Sequence, residues 1–118
     1  MLAFRDQRAF EAWLEDRLAA DGDGGTGLWV KFAKKKSGIA SVSFPEATET
    51  AVCFGWVDSK MQGCGESHYI LRYQPRTARS AWSPRNAALA ERLIAGGRMR
   101  PSGLAQVEAA KASGRWPA

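Results

Sequence analysis

The residues best suited to chemistry are concentrated in one segment, Phe54–Asn86, which is rich in arginine and tryptophan. Along the two strands predicted there, alternation places one polar set on the sheet face away from the core. That set is Trp56, Asp58, Lys60, His68 and Arg72. Asp58 with Lys60 and Arg72 could form a polar centre there, or only a cross-strand ion pair on a solvated surface.

Three tryptophans could act together with arginines of this segment. Trp29, Trp56 and Trp82 could offer stacking faces beside Arg76 and Arg79. Aromatic side chains interleaved with arginine are how proteins grip single-stranded nucleic acids. The alternative is that these tryptophans belong to the core, because a chain this small needs large apolar side chains there.

A helix start follows the arginine-rich linker. Ser83 precedes Pro84, a residue favoured at the first helical position. Ser80, Ser83 and Asn86 bracket this helix start. Exposed N–H groups there would make a fitting anion site, with three arginines close in sequence: Arg76, Arg79 and Arg85. The alternative is ordinary helix capping by Ser83, and the two interpretations are compatible.

Other reactive residue types have no supporting pattern. Cys53 and Cys64 occur without a CxxC motif or a histidine cluster, so we expect reduced thiols, no metal and no cofactor. His68 is the only histidine, and no carboxylate is placed by spacing to orient it as a catalytic base. The lysines at 34–36 lack the spacing of a phosphate-binding loop, which gives nucleotide hydrolysis no support.

Composition and charge limit the classes of protein that fit. The chain has 118 residues and 45 % hydrophobic content, which predicts one globular domain over residues 1–118. The net charge is +5, and residues 60–118 hold ten Lys or Arg against three Glu. An arginine-rich basic half suits an anionic partner, although a solvated basic surface is the simpler interpretation. Charge near the N-terminus and the lack of a long apolar run predict a cytoplasmic protein without membrane insertion.

Periodicity and turn residues predict the elements that must position these side chains. We expect an α+β fold, with a small, mainly antiparallel three-stranded sheet packed against about four helices. Tyr69, Leu71 and Tyr73 should face the core with Val57 and Met61. The predicted strands are Gly27–Lys34, Trp56–Gln62 and Ser67–Gln74, and the predicted helices are Asp6–Ala20, Pro45–Cys53, Pro84–Ala95 and Pro101–Ala112.

Two further predictions concern the last part of the chain. Leu104 and Val107 should share the buried face of the last helix. Trp116 should fold back as a hydrophobic plug.

Several short motifs, in this order, resemble the bacterial YdeI/OmpD-associated proteins. They are Leu28-Trp29-Val30, Phe44-Pro45-Glu46-Ala47, Cys53-Phe54-Gly55-Trp56-Val57-Asp58, Pro75-Arg76, Arg79-Ser80-Ala81-Trp82-Ser83, Leu93 to Met99 and Gly114-Arg115-Trp116. The family has no established biochemistry. Its name implies a link to antimicrobial-peptide resistance and a porin partner, and its members are described as periplasmic.

Three functions therefore compete. The first is a non-enzymatic binding module for nucleic acid or a phosphorylated ligand, using an arginine- and tryptophan-rich surface. The second is an enzyme for a small anionic substrate, with Asp58 and Arg72 in a pocket. The third is a protein-interaction factor in stress or peptide resistance, which the family resemblance alone implies.

Overall fold

The fold is α+β, as the element order predicted. The computed structural model describes residues 2–21, 27–34, 37–77 and 82–117. The strands are β1 (Leu2–Ala3), β2 (Leu28–Ala33), β3 (Trp56–Cys64) and β4 (His68–Pro75). The helices are α1 (Gln7–Asp21), α2 (Phe44–Phe54), α3 (Pro84–Ala95) and α4 (Pro101–Ala112).

The sheet has one strand more than predicted. Its order is β1-β2-β4-β3, and β1 pairs in parallel with β2 while the other neighbours are antiparallel. The prediction of a three-stranded antiparallel sheet was therefore close but incomplete. A strand of two residues is too short to show period-two alternation, so only its tertiary pairing with Val30 and Lys31 reveals it.

Side-chain caps lie where the sequence predicted helix starts. The Asp6 carboxylate accepts a hydrogen bond from the Ala9 amide at 2.9 Å, just before α1. Ser43 caps α2 in a reciprocal capping box with Glu46. The end of α2 is tight, because Gly55 has φ 83° and a side chain there would meet the Ser102 carbonyl oxygen at 2.8 Å.

One hydrophobic core lies on a single side of the sheet. The side chains of β2 on this side are buried: Leu28, Val30 and Phe32. On the neighbouring strand β4, Tyr73 is paired with Leu28 and Leu71 with Val30, and both are also buried. Every helix adds side chains to this core: Phe10 and Leu14, Ala47 and Ala51, Ala90 and Leu93, Val107 and Ala110. The four helices therefore lie on the same side of the sheet.

The last helix and the C-terminal residues correct one prediction and confirm another. Val107 is buried with Gly103 and Ala110, whereas Leu104 is 36 % exposed because its side chain lies off this inner stripe. Trp116 does fold back onto the core, with its ring 5.0 Å from that of Trp82.

Candidate functional site

A β-bulge divides the polar set that alternation had placed on one face. Asp58 pairs with Tyr73 and Lys60 pairs with Arg72, so Ser59 is the extra residue between them. Directly paired antiparallel residues share a face, which puts Asp58 on the helix side with Tyr73. Lys60 and Arg72 face the other way. The prediction that all these residues share one surface was wrong, because the bulge reverses the alternation.

The same bulge corrects the predicted core face of β3. Trp56, expected on the polar face, is fully buried, and its ring meets that of Trp13 edge-on at 6.2 Å. Val57, expected in the core, pairs with Gln74 on the opposite face. Met61 does lie on the helix side, yet it is 66 % exposed.

Arg76 and Trp82 form an interior stack on the helix side. Arg76 is buried, and its guanidinium carbon lies 3.7 Å from the centre of the Trp82 ring. The stack continues through Trp116 to the Lys111 ammonium, 5.0 Å from the Trp116 ring. Burial lowers the pKa of Arg76 to about 10, against the opposing effect of the Asp58 carboxylate. The core interpretation of Trp56 and Trp82 is therefore confirmed.

The start of α3 shows the ordinary capping arrangement. The Ser83 hydroxyl accepts a hydrogen bond from the backbone N–H of Asn86 at 3.1 Å. Asn86 is half-buried and turns toward the space between α2 and α3. Arg79, the remaining predicted site residue, lies outside the described residues.

A pocket of about 420 Å³ lies between α2 and α3 beside β3. It brings together two predicted site residues, Asp58 and Asn86, and excludes Lys60 and Arg72, which face away from it. Its other lining residues are Phe44, Pro45, Thr48, Glu49, Arg85, Leu89 and Arg92. The helical spacing of Arg85, Leu89 and Arg92 was the sequence signal that would have found its α3 wall.

The opposite side of the sheet forms a second candidate surface, which we call the open face. Its aromatic centre is Trp29, whose ring lies 5.9 Å from the Arg72 guanidinium carbon. Ile70 lies between its cross-strand partners Lys31 on β2 and Gln62 on β3, and only 8 % of its surface is exposed. The face comprises Trp29, Lys31, Ala33, Val57, Lys60, Gln62, Cys64, His68, Ile70, Arg72 and Gln74, and none of these strand residues is acidic.

Ion pairs within the chain already use part of the basic half. Carboxylates pair with basic residues on the helices or beside them: Arg98 with Glu49, Arg100 with Glu11 and Glu15, and Lys111 with Glu91. The Arg100 guanidinium lies 2.7 Å from Glu11 and ties α1 to the start of α4. The excess positive charge is therefore less available to a partner than the sequence count suggests.

The thiols and the histidine occupy unremarkable surroundings. Burial raises the pKa of the Cys53 thiol to about 11, and Cys64 is half-buried near the β3–β4 turn; both are free. His68 Nδ1 lies 3.0 Å from the Ser67 hydroxyl. Within the described part of the chain, no three His, Cys, Asp or Glu side chains group as metal ligands would.

Fold and surfaces define a small α+β domain with a mixed sheet, one helix-covered face and one open face. The chain belongs to the family described as Domain of unknown function (DUF8412), whose profile matches residues 2–106. No curated protein and no solved structure matches it. These comparisons do not link it to the YdeI/OmpD-associated proteins, so that resemblance stays a prediction. No helix in the described ranges is long and apolar enough to cross a membrane.

Proposed function

We propose that the protein is a non-enzymatic binding module whose open face holds single-stranded nucleic acid. The observation that carries this proposal is the placement of Trp29 among basic side chains, with no carboxylate on the strand residues of that face. Lys31 follows Trp29 on β2, Arg72 lies beside it on β4, and Lys60 comes next on β3. The cations thus extend across three adjacent strands.

Stacking and charge together favour binding of nucleic acid on the open face. Alternate residues on a strand lie about 7 Å apart and neighbouring strands about 4.8 Å apart, so Lys31 and Arg72 lie close to Trp29. Lys60 lies about 10 Å from Trp29, on the far side of Arg72. Stacking of a base on an aromatic ring stabilises binding by about 1–3 kcal/mol and tolerates any sequence. The guanidinium of Arg72 near the Trp29 ring helps to fix that ring for a base.

Fluorescence anisotropy of a labelled oligothymidylate, titrated with protein at several salt concentrations, tests the proposal. Trp29→Leu should weaken binding about tenfold or more, because it removes the stacking surface. The double variant Lys31→Gln/Lys60→Gln should also weaken binding and reduce the slope of log affinity against log salt by about 1 to 2.

A charge-matched control separates the open face from general basicity. Arg8→Gln/Arg115→Gln removes two exposed cations from the region of the helices. It should leave affinity nearly unchanged. Absence of binding at low salt would reject the proposal, and so would equal losses in the two double variants.

The alternative function, an enzyme with Asp58 and Arg72 in one pocket, has weaker support. These residues lie on opposite faces of the sheet, so they do not converge on one substrate. A role as a protein-interaction factor in stress or peptide resistance depends on the family resemblance alone and stays a prediction.

A further inference from the structure

The pocket between α2 and α3 lies on the side of the sheet opposite to the open face, so the proposed nucleic-acid surface leaves it unexplained. At about 420 Å³ it falls within the usual range for small-molecule sites. Phe44 and Leu89, both half-buried and packed against the core, form an apolar wall on opposite helices. This wall would hold the apolar part of a small molecule.

The cations of the pocket are better placed for a ligand than its carboxylates are. The Glu49 carboxylate already accepts hydrogen bonds from Arg98 and, at 3.2 Å, from the amide of Gln7. Arg85 and Arg92 are exposed at the rim, and neither forms an ion pair within 4.0 Å in the described ranges. The charge of Arg92 also helps to lower the pKa of Glu49, so Arg85 is the cation of the two that is less engaged with a pocket carboxylate. Two such guanidinium groups beside an apolar wall fit a carboxylate or phosphate on the ligand.

Asp58 adds a second polar requirement. Asp58 is half-buried and lines the pocket, and its strand position is paired with that of Tyr73. A carboxylate accepts hydrogen bonds but cannot donate them, so the ligand atom that meets it must be a donor. Thr48 lies nearby and is held by the Tyr73 hydroxyl at 3.3 Å.

We propose that this pocket binds a small organic anion that has an apolar body and a hydroxyl or amino group. The anionic group meets Arg85 and Arg92, the body packs on Phe44 and Leu89, and the donor group meets Asp58. This site is separate from the open face. Failure of nucleic-acid binding would leave the pocket proposal intact, and the converse also holds.

The test uses ¹⁵N-labelled full-length protein and four probes, followed by amide chemical shifts. The first probe, 3-(4-hydroxyphenyl)propionate, has all three features. 3-Phenylpropionate lacks the hydroxyl group, 3-(4-hydroxyphenyl)propionamide lacks the charge, and inorganic phosphate lacks the apolar body. We expect the first probe to bind most tightly and to shift amides of pocket residues such as Thr48 and Leu89. The amide and inorganic phosphate should bind about tenfold more weakly or not at all.

Substitutions of exposed residues at the rim test the affinity of the pocket without disturbing the fold. Arg85→Gln/Arg92→Gln changes exposed side chains and should lower affinity for the first probe about tenfold or more. Arg8→Gln/Arg115→Gln is the charge-matched control and should leave affinity for the first probe unchanged. Asp58→Asn should reduce the preference for the hydroxylated probe over 3-phenylpropionate.

Three results would overturn the proposal. The first is no shift of pocket amides with any probe at millimolar concentration. The second is binding of the propionamide as tight as that of the propionate, which would show that charge is irrelevant. The third is an unchanged affinity in the Arg85→Gln/Arg92→Gln variant.

Discussion

The guanidinium carbon of Arg76 lies 3.7 Å from the centre of the Trp82 ring, and both side chains are buried. This contact joins the end of β4 to the residue before the Ser83 cap of α3. A planar, weakly hydrated cation suits such a place, because it stacks on the ring with its flat face. Arg76 and Trp82 therefore hold the sheet and the third helix together.

Arg76→Lys should lower the free energy of unfolding by about 1–2 kcal/mol, because a lysine ammonium cannot stack as a plane and is more strongly hydrated. Urea denaturation followed by circular dichroism measures the change. The conservative control Arg115→Lys, at an exposed position, should have almost no effect. Equal stability of the Arg76 variant and the unaltered protein would contradict this account of the stack.

Gly103→Ala should destabilise the protein by about 2 kcal/mol, although alanine favours helices over glycine. A side chain at Gly103 would meet the Cys53 carbonyl oxygen at 2.2 Å, because α4 passes very close to α2 there. Thermal and urea unfolding measure the loss. Gly96→Ala is the matched control, since its nearest atom lies at 3.5 Å and its φ is −83°. Similar effects at the two positions would show that the close approach is unimportant.

Reaction with a thiol reagent in the native state should modify Cys64 and spare Cys53. Cys53 is 4 % exposed and burial raises its pKa to about 11, so little thiolate forms and the reagent has no access. The fast phase of the reaction with an aromatic disulfide should come from Cys64. Cys64→Ser should therefore abolish this phase, whereas Cys53→Ala should not change it. Two thiols reacting at one rate in folded protein would refute this assignment.

The buried thiol also makes stability fall at high pH. The pKa of Cys53 is raised in the folded state, so the folded state binds its proton more tightly than the unfolded state does. Its contribution to stability is complete below the ordinary thiol pKa of 9.0 and is lost as pH rises through about 11. Cys53→Ala should flatten the measured decline in this interval.

Glu49→Gln should destabilise the protein by about 1 kcal/mol near neutral pH and by less in acid. Burial favours a higher pKa for Glu49, but hydrogen bonds from Arg98 and Gln7 outweigh it and the pKa lies below its usual value. The contribution of the ionised group is therefore present above the usual value of 4.5 and is lost as pH falls. Urea unfolding across this pH range tests the trend. Glu108→Gln, at an exposed position, is the control, and a loss independent of pH would contradict the prediction.

Most of the fold could be predicted because its signals are local. Asp6, Ser43 and Ser83 accept hydrogen bonds where their sequence contexts predicted helix starts. The alternation of Leu28, Val30 and Phe32 correctly predicted one buried face of β2. Strand β1 was missed because two residues have no period of their own.

The candidate site was predicted only in part, and the reason is Ser59. Nothing in a single strand shows that one residue will be left unpaired, since a bulge arises from the register with its partner strand. That one residue sends Asp58 to the helix side and leaves Lys60 with Arg72 on the open face. A single predicted surface thus becomes two candidate sites.

The sequence by itself determined the α+β class, the helix starts and the segment in which unusual residues are concentrated. These depend on spacing and capping, which act over a few neighbouring residues. Only the tertiary structure decided that Arg76 and Trp82 are interior while Trp29 belongs to the basic open face. Burial and charge pairing depend on residues far apart in the chain, as between Arg98 and Glu49, and such pairs form only when the elements pack.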